Sequence, residues 1–141
     1  MPGGATGWAL LSALFAGLTA LLAKLGMRGV PVDLAVAIRT TVVLALAWGV
    51  ALARVPPGTA RTLGPSAWVF LVLSGLATGA SWLCYFRALS LGDLSRVAAI
   101  DKLGFVLAAL LGVVFLAERP GPAVWAGLAC IVAGVLLVAK G

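Results

Sequence analysis

Residues 97–117 read VAAIDKLGFVLAALLGVVFLA, an apolar run broken only by one acid and one base, Asp101 and Lys102, side by side near its start. A helix crossing the hydrocarbon core of a bilayer needs roughly 20 apolar residues, and this run has that length. It shows no strand-like alternation. In lipid only helices and closed barrels satisfy their own backbone polar groups, so the run reads as a membrane-spanning helix. Four further stretches resemble it: Trp8–Ala23, Leu34–Ala53, Ser66–Leu89 and Ala123–Ala139. The expectation is an all-α membrane protein with five transmembrane helices (about 8–23, 34–53, 66–89, 97–117 and 123–139) in a single transmembrane domain over 1–141. We number these spans one to five.

Composition supports this class. Hydrophobic residues make up 63% of the chain and charged residues 10%, a balance that excludes an ordinary soluble domain. The net charge of +6 does not imply nucleic acid, because the ten Lys and Arg residues are scattered singly rather than gathered in a run. There is no histidine, and Cys84 and Cys130 both fall inside spans, where they read as small apolar packing residues. No nucleophile motif, phosphate loop or paired carboxylates stand out. The sequence therefore points away from an enzyme, and no metal or other cofactor is expected.

Proline and glycine punctuate the connections: Pro31, Pro56-Pro57-Gly58, Gly64-Pro65, Gly92 and Pro120-Gly121-Pro122. Call the N-terminal face side A and the opposite face side B. Trp8, Trp68 and Trp125 open spans one, three and five, and Trp48 lies near the end of span two. All four fall near side A, as an interfacial aromatic belt would. Side A carries Arg54, Arg61 and Arg119, and side B carries Lys24, Arg28, Arg96 and Lys140, three against four. That near balance gives the positive-inside rule little to act on, and insertion in both orientations is as well supported as one fixed topology.

The charges inside the spans are the main clue to function. Arg39, Asp101 and Lys102 each lie a few residues in from side B, at roughly 6–8 Å depth by helical rise. Arg87 lies near the side-B end of span three. Charges within a span are costly and face a partner or a water-filled cavity. Two readings stand side by side. In one, Asp101 and Arg39 form a plain packing ion pair while Arg87 and Lys102 snorkel to the headgroups. In the other, these groups line a polar cavity open to side B, where cations exceed the one carboxylate and favour an anionic or carboxylate-bearing solute. Asp101 and Lys102 are neighbours, so on a continuous helix they point about 100° apart and are not expected simply to pair with each other. Trp82, Tyr85 and Phe86 follow i, i+3, i+4 spacing and share one side of span three, as a packing face or as a solute wall. Small residues form stripes: Gly75 and Gly79; Gly104, Ala108 and Gly112; Ala126, Cys130 and Gly134. Such stripes let helices approach closely, within or between subunits.

Four segments carry a resemblance. They are AIRTTVVL at 37–44, YFRALSLGDLSRVA at 85–98, FLAERP at 115–120 and GLACIVAGVLLV at 127–138. Together the chain resembles the EamA-type half of the drug/metabolite transporter superfamily, whose members commonly have ten helices in two five-helix halves of opposite topology. Many of those also carry a proline early in the helix corresponding to span four. Here Ile100-Asp101-Lys102-Leu103 stands there without one. The resemblance implies a half-transporter: a secondary transporter or exporter of small metabolites, with Arg39, Asp101, Lys102, Trp82, Tyr85 and Arg87 as candidate substrate-binding or coupling residues. The solute is expected to be carboxylate-bearing or amino-acid-like. Asp101 is the only carboxylate well inside an expected span, so any proton coupling would run through it. The expected location is the bacterial cytoplasmic (inner) membrane. The rival classes are an accessory membrane subunit and a component of a lipid-linked-solute flippase.

Secondary transporters often build their site between inverted repeats, so a single five-helix unit would find the second repeat in another copy. An antiparallel homodimer of dual topology is the expectation, with Ala126, Cys130 and Gly134 at the contact. Topology reporters fused to the C-terminus should give signal from both sides of the membrane. One or two Lys residues added to the Arg54–Gly64 loop should polarise that signal. A single orientation in the unmodified chain would leave a parallel dimer or a hetero-partner.

Overall fold

The computed structural model describes residues 4–141. Six α-helices follow one another: α1 (Ala5–Gly26), α2 (Val32–Arg54), α3 (Pro65–Leu91), α4 (Leu94–Asp101), α5 (Leu103–Leu116) and α6 (Pro122–Lys140), with a short 3₁₀ turn at Thr59–Thr62. Among the described residues five spans are long and apolar enough to cross a membrane: α1, α2, α3, the joined pair α4–α5 (Leu94–Leu116), and α6. The protein is an all-α membrane protein, as the length and composition of its apolar runs imply.

The helix ends follow from local chemistry. Pro65 and Pro122 stand at the first position of α3 and α6, where a missing N–H leaves nothing unsatisfied. Asp33 sits in the first turn of α2, and Lys24, Arg54 and Lys140 sit in the last turns of α1, α2 and α6. Each charge has the sign that complements its helix dipole. The turns into these helices extend beyond the apolar runs, so Arg39 lies seven residues inside α2, roughly 10 Å along its axis.

Span four differs from the continuous helix expected over 97–117. It changes from α4 to α5 at Lys102, without a proline. The Lys102 N–H reaches the Ala99 carbonyl at 3.1 Å, and the Phe105 N–H reaches the Lys102 carbonyl at 3.1 Å. Both are three-residue, 3₁₀-type bonds, the tighter winding that marks a local interruption of an α-helix.

The chain divides into two compact units. One is Leu21–Ser90; the other joins the chain through Ala20 to Leu91–Gly141. In the Leu21–Ser90 unit the buried side chains are Met27, Val36, Phe86 and Leu89, all toward side B. In the second unit α6 packs against α4 and α5. Its Val135 is buried, and Leu128, Val132 and Ala139 on the same face are half-buried. The opposite face, Ala126, Cys130 and Gly134, is exposed. Trp8, Trp48, Trp68 and Trp125 are also exposed, as lipid-facing belt residues should be.

The glycine stripes are not filled by neighbouring helices. A Cβ added at Gly75, Gly79, Gly104 or Gly134 would meet nothing within 4 Å. Gly112 is the exception. A Cβ there would lie 2.9 Å from Glu118 Oε2, because the chain folds back at the end of α5 and lays that carboxylate over the helix. The fold-back needs a left-handed residue, and Ala117 supplies it at φ 53°. Both Ala117 and Glu118 turn their N–H groups to the Gly112 carbonyl.

An alanine in that conformation is strained by its Cβ. Ala117→Gly should therefore raise thermal stability in detergent by about 0.5–1 kcal/mol. The matched change Ala109→Gly inside α5 should lower it by about 1 kcal/mol. Equal shifts from the two changes would show that the turn at Ala117 is not strained.

Candidate functional site

The intramembrane charges fall into both units, and each set is described within its own. In the Leu21–Ser90 unit, α2 brings Arg39 against α3. The Arg39 guanidinium carbon lies 4.1 Å from the centroid of the Trp82 ring and 5.5 Å from that of Phe86. Tyr85 meets Phe86 edge to face, with centroids 6.3 Å apart at 65°. The shared face expected from the 82, 85, 86 spacing therefore exists, with Phe86 buried and Trp82 and Tyr85 half-buried. It is a wall for a cation as well as a packing surface.

A guanidinium over an indole face is attracted by the ring quadrupole, by about 2 kcal/mol or more where water is excluded. That attraction does not neutralise the charge. Asp33, the sole acid of this unit, stands in the first turn of α2, well short of Arg39. Within the unit no carboxylate or carbonyl accepts from the Arg39 donors. Among the described residues, no buried side-chain nitrogen or oxygen is left sealed without a partner. Tyr85 is the polar neighbour that acts electrostatically on Arg39, and the guanidinium stays partly exposed and reachable.

Lys24 plays a different part. Its Nζ donates to the Leu89 carbonyl at 2.6 Å. The last four carbonyls of a helix have no partner of their own, and α3 has no basic residue in its last turn. Lys24, at the end of α1, supplies the missing donor and the favourable charge. Arg96 does the same in the other unit, where it donates to the Ala139 carbonyl near the end of α6. Neither role was foreseen from the sequence. The only available signal was the absence of a basic residue in the last turn of α3.

In the second unit Asp101 and Lys102 sit where α4 gives way to α5. Lys102 Nζ lies 3.9 Å from Asp101 Oδ2 and 5.1 Å from the Phe105 ring centroid. The expectation that these neighbours would not pair needs correction, since the long Lys102 side chain swings back to the carboxylate. The contact is long and both side chains are nearly half exposed (43% and 46%), so it contributes little stability. Arg87 is exposed on α3. Cys84 and Cys130 are free and exposed. Among the described residues no three of His, Cys, Asp or Glu gather as a metal site would require.

A family model matches the sequence of the chain. The model of the EamA-like transporter family covers residues 4–140. The chain belongs to the EamA-like transporter family. It is also 50% identical over 137 residues to a protein of Sinorhizobium sp described as an uncharacterized transporter in the cobO 3′ region, a match covering 94% of each protein. No solved structure matches the chain. Family and relative together identify an integral membrane transporter of the drug/metabolite type and point away from an enzyme.

The Lys24 contact can be tested on the purified EamA-family chain. Lys24→Met removes a charged donor and leaves the Leu89 carbonyl without it, so thermal stability should fall by about 1.5–3 kcal/mol. Lys24→Arg should recover most of the loss. An unchanged melting temperature in Lys24→Met would show that the end of α3 does not depend on this donor.

Proposed function

We infer that the protein is a secondary transporter that exports small carboxylate-bearing or amino-acid-like metabolites across the bacterial cytoplasmic membrane. The observation that carries this reading is Arg39. A cation held roughly 10 Å along α2, with the Trp82 and Phe86 rings against it and no carboxylate beside it in its unit, has donors to offer a solute. A purely structural arginine would be expected to spend them on carbonyls or a carboxylate. Asp101 and Lys102 at the break in span four are the second element of the proposal. Interrupted spans often carry the binding and coupling groups of secondary transporters.

Alternating access is assigned to an antiparallel homodimer. Two copies of opposite orientation recreate an inverted-repeat arrangement. The exposed face of α6 at Ala126, Cys130 and Gly134, opposite the face that packs on α4 and α5, supports a contact there.

Reconstituted proteoliposomes offered a panel of amino acids and monocarboxylates test the reading. Transport should be seen with the wild type and lost in Asp101→Asn. No transport of any panel member would refute the solute class.

A further inference from the structure

We propose that Arg39 and Trp82 form a site for a single planar oxyanion, the carboxylate of a monoanionic organic solute, with Trp82 as the residue that positions the guanidinium. The proposal rests on the reading of the protein as a carrier of carboxylates and specifies how the carboxylate is held.

The geometry supplies three constraints. First, the indole lies 4.1 Å from the guanidinium carbon and the Phe86 ring 5.5 Å, so aromatic surface covers the flat body of the cation. Its N–H donors lie around the edge of that flat group, not on its faces. A partner must therefore come to the edge, and two parallel N–H donors match the two oxygens of a carboxylate. Second, the charge to be balanced is one. Of the other cations toward this end of the unit, Lys24 donates to the Leu89 carbonyl, and Arg28 and Arg87 are exposed. A monoanion brings Arg39 to neutrality, whereas a dianion such as hydrogen phosphate leaves a net negative charge within a span, which is costly. Third, half-buried Trp82 and Tyr85 present ring surface beside the cation, suited to the apolar body of an organic acid and not to a hydrated inorganic ion. A lysine at position 39 would keep the charge but lose the planar fork. Trp82 touches the guanidinium rather than the solute's carboxylate, so its contribution is to hold Arg39 in one orientation.

The test uses the full chain purified in lipid nanodiscs, with benzoate as the probe and calorimetry as the readout. Chloride and inorganic phosphate at matched ionic strength are the competitors. Benzoate should bind about tenfold or more tightly than either, the margin of one charge-assisted hydrogen bond. Arg39→Lys should weaken benzoate by about tenfold although the charge is kept. Trp82→Leu should weaken it by about threefold to thirtyfold, and Trp82→Phe should recover much of that loss. The competition on the wild type needs no variant, so the proposal stays testable even where a substitution fails to fold. Equal affinity for benzoate and chloride overturns it. So does full-strength benzoate binding in Arg39→Lys or Trp82→Leu. Transport separates this proposal from the one beneath it. Benzoate binding with no transport of any carboxylate removes the carrier reading and leaves the site. Carboxylate transport undiminished in Arg39→Lys removes the site and leaves the carrier.

Discussion

Every backbone N–H and C=O in this protein must find a partner without help from water over most of its length, and the architecture answers that requirement. Five apolar spans become helices because a helix closes its own hydrogen bonds. The difficulty moves to the helix ends, where the last carbonyls are orphaned. The protein handles those ends with cations. Lys140 and Arg54 serve their own helices, while Lys24 reaches the end of α3 and Arg96 the end of α6. Much of the positive charge of the chain is thus engaged in finishing helices, which explains a high net charge without a basic surface. The same demand accounts for the turn after α5, where Ala117 takes a left-handed conformation so that two N–H groups can reach the Gly112 carbonyl.

Once the end-capping cations are set aside, Arg39 stands out. It lies well inside α2, and its neighbours in its unit are Trp82 and Phe86, not acids. Aromatic faces stabilise a guanidinium without using its donors, so they keep a charge in place and leave it competent to bind. Asp101 and Lys102 represent the other way of placing charge in a span. They sit at a local change of winding and hold each other only loosely. A transporter benefits from weakly committed charges, because a strongly satisfied ion pair would have to be broken at every turnover.

Packing between helices follows the chemistry of lipid. Hydrocarbon tails are as apolar as leucine side chains, so an apolar helix face gains little by leaving lipid for another helix. Exposed Leu, Val and Phe residues throughout the spans carry no penalty there. Burial is confined to a few positions such as Phe86, Leu89 and Val135. The stripes at Gly75–Gly79 and Gly104–Ala108 remain open, and Gly112 is small to admit the Glu118 carboxylate and not a neighbouring helix.

The number and kind of spans were legible in the sequence because lipid imposes a minimum length and apolar composition that a linear reading can measure. The aromatic face at Trp82, Tyr85 and Phe86 was equally legible, since helical spacing alone puts those residues on one side. So were Arg39 and Asp101 as anomalies, because an ionisable group inside an apolar run is visible without a structure. Partners were not legible. That Arg39 meets Trp82 depends on the register of α2 against α3. That Lys24 meets Leu89, a residue 65 positions away, depends on how two helix ends converge. The break at Lys102 also escaped, because without a proline its cause lies in backbone bonding and not in composition. Local periodicity and hydropathy are properties of neighbours along the chain, whereas the pairing of a charge is decided by whichever distant group folding brings within a few ångströms of it.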